Sequence, residues 1–332
     1  MYDEVLRIPY DELERTTAAA LRALGFEGER ALLCARLFAE TTRDGVYTHG
    51  MNRFPRFVRM IRAGRIDIHA VPKLVASRGA VERWDGQRGV GNLNAYHAMG
   101  RAIALAGQHG IGAAALAYTN HWMRAGTYGW QAADAGFIGI CWTNTLPNMP
   151  PWGSAEIRLG NNPIVFAAPR PPGHVVFDMA MSQFSYGALG AYRERGEQLP
   201  VDGGFDSAGR LTRDPAAIEE SQRVLPVGYW KGAGLALMLD LIAAVLSGGL
   251  ATHQVPADPE REVGVSQIFV AIDPAAFGPR SAAAEMADRI VASGGSHYPG
   301  QRAFELRAEN LALGVPVEEG VWREVRELAG NQ

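Results

Sequence analysis

Cysteine is nearly absent: two residues, Cys34 and Cys141, stand far apart in a chain of 332. That scarcity argues against a disulfide framework, and each thiol reads as a small core residue. Charge of either sign is not in excess either, since 32 Lys and Arg face 35 Asp and Glu, for a formal net charge of -3. The balance leaves no electrostatic footprint for nucleic acid, and no stretch of interleaved basic and aromatic residues offsets it. H-E-x-x-H and short Cys/His ligand series are missing, which weakens a zinc reading. So are a serine nucleophile elbow, a P-loop and a Cys-x-x-Cys pair, which turns the reading away from hydrolase, kinase and thiol-redox chemistry. The first ten residues lack a basic segment followed by an apolar one, which points to the cytoplasm. The most apolar stretch, residues 233–246, is too short to span a bilayer and contains Asp240, so it reads as a buried core helix, with no membrane partner expected.

What is present is an ordinary globular composition, 47% hydrophobic and 20% charged with 39 glycines, in a chain long enough for about two domains. Apolar spacing predicts helices over 10–24, 29–42 and 53–63, closed by glycine at 25, 45 and 64. Strand-like runs follow at 81–84, 111–118, 137–142, 164–168, 174–179 and 266–272, with helices at 93–108, 128–134, 231–246 and 282–292 between and after them. Residues 182–227 read as mixed and loop-rich. The tail returns to helical periodicity at 302–313 and 318–328, and packing of the two terminal regions on each other would make one domain discontinuous. The division expected is a helical unit of residues 1–75 joined by 300–332, around an α/β core of 76–299.

The richest segment is D-G-V-Y-T-H-G-M-N-R, residues 44–53. His49 can move a proton near neutral pH, and Arg53 can grip a planar carboxylate with two parallel hydrogen bonds. As a residue alone, His49 reads as a core or capping histidine, a zinc ligand or a general acid/base. Arg53 reads as a helix cap, a structural partner of Asp44, or an anion contact one helical turn beyond His49. A cation beside His49 disfavours imidazolium, so substrate charge has to compensate if His49 is to donate a proton. His121 lies in T-N-H-W after the 111–118 strand, where α/β units place ligand-binding groups, or else it stabilises a turn. Gly110-Ile111-Gly112 mimics a dinucleotide fingerprint but follows a helix, the wrong context. Gly228–Gly234 with Lys231 suits an anion at a helix start, or a tight crossing. Asp178 closes an apolar strand, where it faces a ribose, polarises a site group or caps the following turn.

Taken together, D-G-V-Y-T-H-G-M-N-R, T-N-H-W-M-R-A-G-T-Y-G, R-L-G-N-N-P, F-D-M-A-M-S and K-G-A-G-L-A-L-M-L-D resemble the type 2 malate/L-lactate dehydrogenase family over nearly the whole chain. The resemblance implies an α/β, non-Rossmann fold with a mixed-sheet nicotinamide-binding domain and a helical domain built from both terminal regions. It implies an NADH-dependent enzyme, sometimes accepting NADPH, that works as a homodimer on a small 2-keto or 2-hydroxy acid. His49 would be the proton donor, with Arg53 and His121 as substrate contacts. The nicotinamide cofactor would be held by His174, Val175, Val176, Phe177, Asp178, Met179 and Ala180, by Trp230 and Lys231, and by Gly300, Gln301 and Arg302. Trp230 replaces a histidine found before the lysine in other branches, and Leu189-Gly190 replaces a Gly-Lys pair. These departures count against simple malate or lactate specificity, and the resemblance of M-N-R-F-P-R-F, M-P-P-W-G and Q-L-P-V-D-G-G-F-D within the family implies a keto sugar acid. A dehydrogenase for malate, lactate or ureidoglycolate and a non-catalytic sugar-acid binder are the competing readings.

Overall fold

The computed structural model describes residues 5–295 and 297–330. A short strand, β1 (Val5–Ile8), leads into the helices α1 (Tyr10–Ala23), α2 (Gly28–Arg43) and α3 (Phe54–Arg62). The hairpin β2 (Lys73–Arg78) and β3 (Val81–Asp85) follows, then α4 (Gly91–His109), β4 (Ile111–Asn120), α5 (Gly126–Asp134), β5 (Ile138–Thr143), β6 (Ile164–Ala168) and β7 (Val175–Met179). An excursion holds α6 (Tyr186–Glu194), the two-residue strands β8 (Gly204–Phe205) and β9 (Leu211–Thr212), and α7 (Pro215–Ser221). The chain closes with α8 (Trp230–Ser247), β10 (Val263–Ile272), α9 (Arg280–Ser293), α10 (Gln301–Leu313), β11 (Val315–Glu318) and α11 (Glu319–Leu328).

Seven strands form the central sheet in the order β2-β3-β4-β10-β5-β6-β7. Only β3 and β4 run parallel; the other neighbours are antiparallel. The mixed sheet agrees with the expected fold class. Helices α4 and α5 bury Ala95, Met99, Tyr128 and Trp130 against Leu116, Cys141, Val165 and Phe269 of the sheet. Gly112 explains the misleading glycine pair: a Cβ there would stand 2.6 Å from the Ala106 amide nitrogen of α4, so helix and strand pack closely. Gly110, at φ +81°, simply caps α4.

A second core lies under the N-terminal helices. Phe38, Phe54 and Phe57 meet there, the first two edge-to-face at 5.4 Å between ring centroids. Truncating one such buried ring costs about 3–5 kcal/mol. Val315, Val317, Trp322 and Val325 from the C-terminus belong to the same cluster, and β1 pairs antiparallel with β11, Val5 opposite Glu318 and Ile8 opposite Val315.

Several elements depart from the sequence expectations. Strands β1, β11 and β2 carry no strong alternation; β2 is exposed along its whole length. The excursion 182–227, expected to be loop-rich, contains two helices because Ser185 and Asp214 cap them, each side chain accepting a backbone N–H. Helix α8 is not a fully buried core helix: Ala233, Ala236, Leu239 and Ala243 face inward, whereas Leu237, Met238, Leu241, Val245 and Leu246 are exposed. It is the one helix among the described residues long and apolar enough to cross a membrane by length and composition. Its inner face nonetheless joins the fold, since Asp240 accepts hydrogen bonds from the Asn144 side chain and the Thr252 amide, both at 2.8 Å.

Candidate active site

The His49 segment owes its shape to one glycine. Two 3-10 turns, Tyr47–His49 and Met51–Arg53, meet at Gly50. A Cβ on Gly50 would collide with the Thr42 hydroxyl, which accepts from the Met51 amide at 2.9 Å and donates to the Phe38 carbonyl at 2.8 Å. His49 and Arg53 therefore do not share a continuous helical turn, as their spacing suggested. Arg53 is also not the partner of Asp44; its Nη2 lies 3.9 Å from Glu262 Oε2. Arg56 turns to the Pro259 carbonyl and to Glu260 at 3.5 Å.

Strand β4 delivers His121. Its last residue, Asn120, donates to the Arg88 and Gly89 carbonyls at 2.8 and 2.9 Å, which fixes the strand end. Met123 adopts φ +65° and points its amide at His121 Nδ1, 3.1 Å away. Nδ1 therefore accepts, which leaves the proton of the neutral ring on Nε2. The His49 and His121 rings stack with centroids 5.7 Å apart and planes at 21°. Both line a cavity of about 960 Å³, in the size range of small-molecule sites.

Electrostatics around the pair disfavours imidazolium. Burial, then the charges of Arg53 and Arg124, push His49 down to about 4. Burial first, then Arg53, His49 and Arg56, hold His121 well below the ordinary histidine range. Thr48 Oγ1 sits 3.0 Å from His49 Nδ1 and orients that ring. Just before the turn, Asp44 binds three arginines: Arg43 Nε at 2.9 Å, Arg124 Nη1 at 2.8 Å, and Arg307 through Nε at 2.9 Å and Nη2 at 2.8 Å. Burial alone would raise the Asp44 carboxyl, but the Arg307 hydrogen bonds and the charges of Arg124 and Arg43 outweigh it and hold it low. Asp178 Oδ2 accepts from the Gly126 amide at 2.7 Å; burial raises its carboxyl, opposed by Arg124 and that amide.

Val176, Phe177, Asp178 and Ala180 line the cavity, as do Gly300 and Arg302. His174, Val175, Met179 and Gln301 are not in its lining, and neither is Arg53, the expected substrate contact. His174 instead takes the Arg170 amide on Nδ1 at 2.9 Å and meets Asp134 with Nε2 at 3.0 Å, holding the start of β7. Gln301 spans the turn before α10, accepting from the Tyr298 amide at 3.3 Å and donating to Glu305 at 2.8 Å. Trp230 and Lys231 begin α8 outside this cavity, with Trp230 66% exposed. Among the described residues no group of three or more His, Cys, Asp and Glu is placed to hold a metal ion.

The residues fit a dinucleotide. Helix α10 starts at the cavity, so its free N–H groups and Arg302 offer positive charge to a phosphate. Gly300, at φ +93°, comes so close to β7 that a Cβ would stand 3.0 Å from the Val176 nitrogen, and Val176 N–H donates to the Pro299 carbonyl at 2.9 Å. Sequence reasoning missed Thr143, Asn144, Thr145, Asn161, Glu262 and Gln267, all in the lining. Gln267 carried a usable signal, a polar residue inside the apolar run of 265–272.

Comparison with known proteins agrees with this geometry. Residues 8–326 match the model of the malate/L-lactate dehydrogenase family. A 2,3-diketo-L-gulonate reductase of Shigella boydii is 46% identical over 97% of this chain and 100% of that one. Among solved structures, a malate dehydrogenase of Pyrococcus horikoshii superposes with a TM-score of 0.87 at 28% identity, covering 100% of this chain and 99% of the other. Sulfolactate dehydrogenase of Methanocaldococcus jannaschii gives 0.90 at 27% identity, over 98% of each chain.

Proposed function

The chain belongs to the malate/L-lactate dehydrogenase family and is a nicotinamide-dependent oxidoreductase; from that premise we propose that it reduces the C2 ketone of 2,3-diketo-L-gulonate to give 3-dehydro-L-gulonate. The observation that carries the reading is the stacked His49–His121 pair, 5.7 Å apart on one cavity wall. The high identity to a reductase of that name supports the substrate.

In this reading Arg53, which does not itself line the cavity but lies 3.9 Å from Glu262 of its lining, reaches in to hold the substrate carboxylate. His121, kept neutral and with its proton on Nε2, donates to the carbonyl oxygen and polarises it. The reduced nicotinamide supplies a hydride to C2 when bound. His49 gives its proton to the C2 oxygen, so one hydride and one proton are consumed for each alcohol formed. A bound carboxylate and the growing oxyanion offset the arginine charges that keep His49 neutral in the free site. Val176, Phe177, Asp178 and Ala180 with Gly300 and Arg302 are the cofactor contacts this chain supplies from its own cavity. Of the remaining cofactor residues expected from the family, His174 holds the start of β7 and Gln301 the turn before α10, while Val175 and Met179 are the two ends of β7. NADH is the preferred reductant, with NADPH accepted less well.

The exposed apolar side of α8, Leu237, Met238, Leu241, Val245 and Leu246, supports a homodimer, because a patch of this kind marks an interaction surface. Trp230 and Lys231 sit at the start of the same helix, where a second copy brings them to a cofactor site. A cytoplasmic location belongs to the same reading. The test is a matrix of keto acids against NADH and NADPH, followed by nicotinamide absorbance. Diketogulonate with NADH should give the highest kcat/KM; preference for pyruvate or oxaloacetate overturns the substrate assignment.

A further inference from the structure

Glu262 is a buried carboxylate with little to bind. Its side chain is 7% exposed, yet among the described residues its ion-pair partner, Arg53 Nη2, is 3.9 Å away and its one side-chain hydrogen bond, from the Leu146 amide, is 3.5 Å long. A carboxylate has about four acceptor positions, so most of this one's capacity is unused. Gln267 shows the same deficit. It is fully buried, its Nε2 reaches the Asn120 carbonyl at 3.4 Å, and its Oε1 has no partner.

Residues five apart on a regular strand face opposite sides. Here the register of β10 on β4 slips twice, between Val263 and Val265 and between Val265 and Gln267, and Gly264, at φ +83°, is the extra residue of the first slip. Glu262 immediately precedes the strand, and with its start irregular in this way both Glu262 and Gln267 line the cavity that holds His49 and His121.

The cavity is also poor in free cations. Four acidic side chains line it, Asp44, Asp178, Glu262 and Glu305, against Arg124 and Arg302. Arg124 is already committed to Asp44, and Arg302 stands at the start of α10. Arg53, assigned to one substrate carboxylate, is not itself in the lining and lies 3.9 Å from Glu262; a second carboxylate brought to this side meets Glu262.

We propose that Glu262, assisted by Gln267, is the specificity determinant of the site: it accepts hydrogen bonds from the hydroxyl groups of a polyhydroxylated chain and repels a second carboxylate. The site accordingly selects a monoanionic polyhydroxy 2-keto acid over a keto-dicarboxylate. This deepens the ketone-reduction reading and rests on it for the chemistry, but not for the binding preference.

The test is calorimetric titration of the wild-type protein, Glu262→Gln and Gln267→Leu with L-gulonate and with L-malate, in the presence of NAD. Wild type should favour gulonate. Glu262→Gln should weaken gulonate on the order of tenfold or more, the loss expected for hydrogen bonds to a charged group, and should tighten malate. Gln267→Leu should weaken gulonate by a smaller factor and leave malate unchanged. An unaltered gulonate-to-malate ratio in Glu262→Gln overturns the proposal, as does an equal loss for both ligands, which would mean that Glu262 only positions Arg53. Parallel turnover assays separate the two readings. Normal ketone reduction with an unaltered ratio defeats the determinant alone. A shifted ratio in a protein that reduces no keto acid upholds the determinant and defeats the reductase reading.

Discussion

If His49 is the proton donor, its depressed basicity decides which direction of the reaction carries the pH dependence. Ketone reduction consumes one proton, so the ratio of kcat/KM for reduction to kcat/KM for oxidation must fall tenfold per pH unit while neither substrate titrates. That requirement is thermodynamic and holds for any mechanism. The pKa of the donor determines how it is divided. With His49 near 4, roughly one site in a thousand is protonated at pH 7. Moving the group from 6.5 to about 4 corresponds to roughly 3 kcal/mol against imidazolium. Reduction, which needs the imidazolium, should therefore lose about a factor of ten in kcat/KM per unit from pH 5.5 to 8. Oxidation, which needs the neutral ring as base, should be flat over the same range. Steady-state rates in both directions at saturating cofactor measure this directly, and a ring-carbon NMR titration of His49 checks its midpoint. A flat profile for reduction together with a rising one for oxidation would refute the argument, because it requires a donor that stays protonated to pH 8. Loss of turnover in His49→Ala with cofactor affinity retained would complete the assignment; unchanged turnover would remove His49 as the essential acid.

Three further outcomes follow from the same coordinates. Asp44→Asn leaves buried Arg124 without its counter-charge and should cost about 3–5 kcal/mol of stability, the usual penalty for breaking a buried ion pair from one side; a denaturant midpoint equal to wild type would show that the charge of Asp44 adds no net stability. Because His49 and His121 have folded pKa values below their unfolded ones, the unfolded chain binds more protons below about pH 6.5, for His49 down to about 4. Their contribution is full above 6.5 and is lost on acidification at up to about 1.4 kcal/mol per pH unit for each ring. Removing one ring in His121→Gln should flatten the decline measured by urea unfolding between pH 7.5 and 5, and an identical slope in both proteins refutes it. Leu241→Asp on the outer face of α8 should halve the mass seen by light scattering, whereas a monomeric wild type would refute the dimer.

What the sequence made legible were elements whose own residues carry the signal. The helices under the Phe38–Phe54–Phe57 core and strands β4 to β7 and β10 announce themselves through local apolar spacing. β1 and β11 do not, because four-residue strands more than 300 positions apart gain their partners only from the closed fold. The two flanks of α8 look alike in composition, and only the sheet tells which one is covered. The site divides in the same way. His49 and His121 could be picked out singly by residue type and turn context. Glu262 could not, because a glutamate before a strand reads as surface until the fold places it in the cavity lining.

The assembly of those single residues into one site rests on a contact no local pattern predicts. Asp44 ends α2 five residues before His49; Arg124 follows His121 by three; Arg307 lies in the second turn of α10, whose first turn lines the cavity. One carboxylate binding both of these arginines therefore ties together the segments carrying the proposed proton donor, the proposed carbonyl contact and the helix proposed to face a phosphate. Each arm is short, so a displacement of any one segment stretches an ion pair that is buried and costly to break. Arg124 has a second effect through its charge, since it helps lower His49. A member of the group that fixes the geometry thus also contributes, after burial and Arg53, to the acid strength the geometry delivers, and spacing along the chain shows neither.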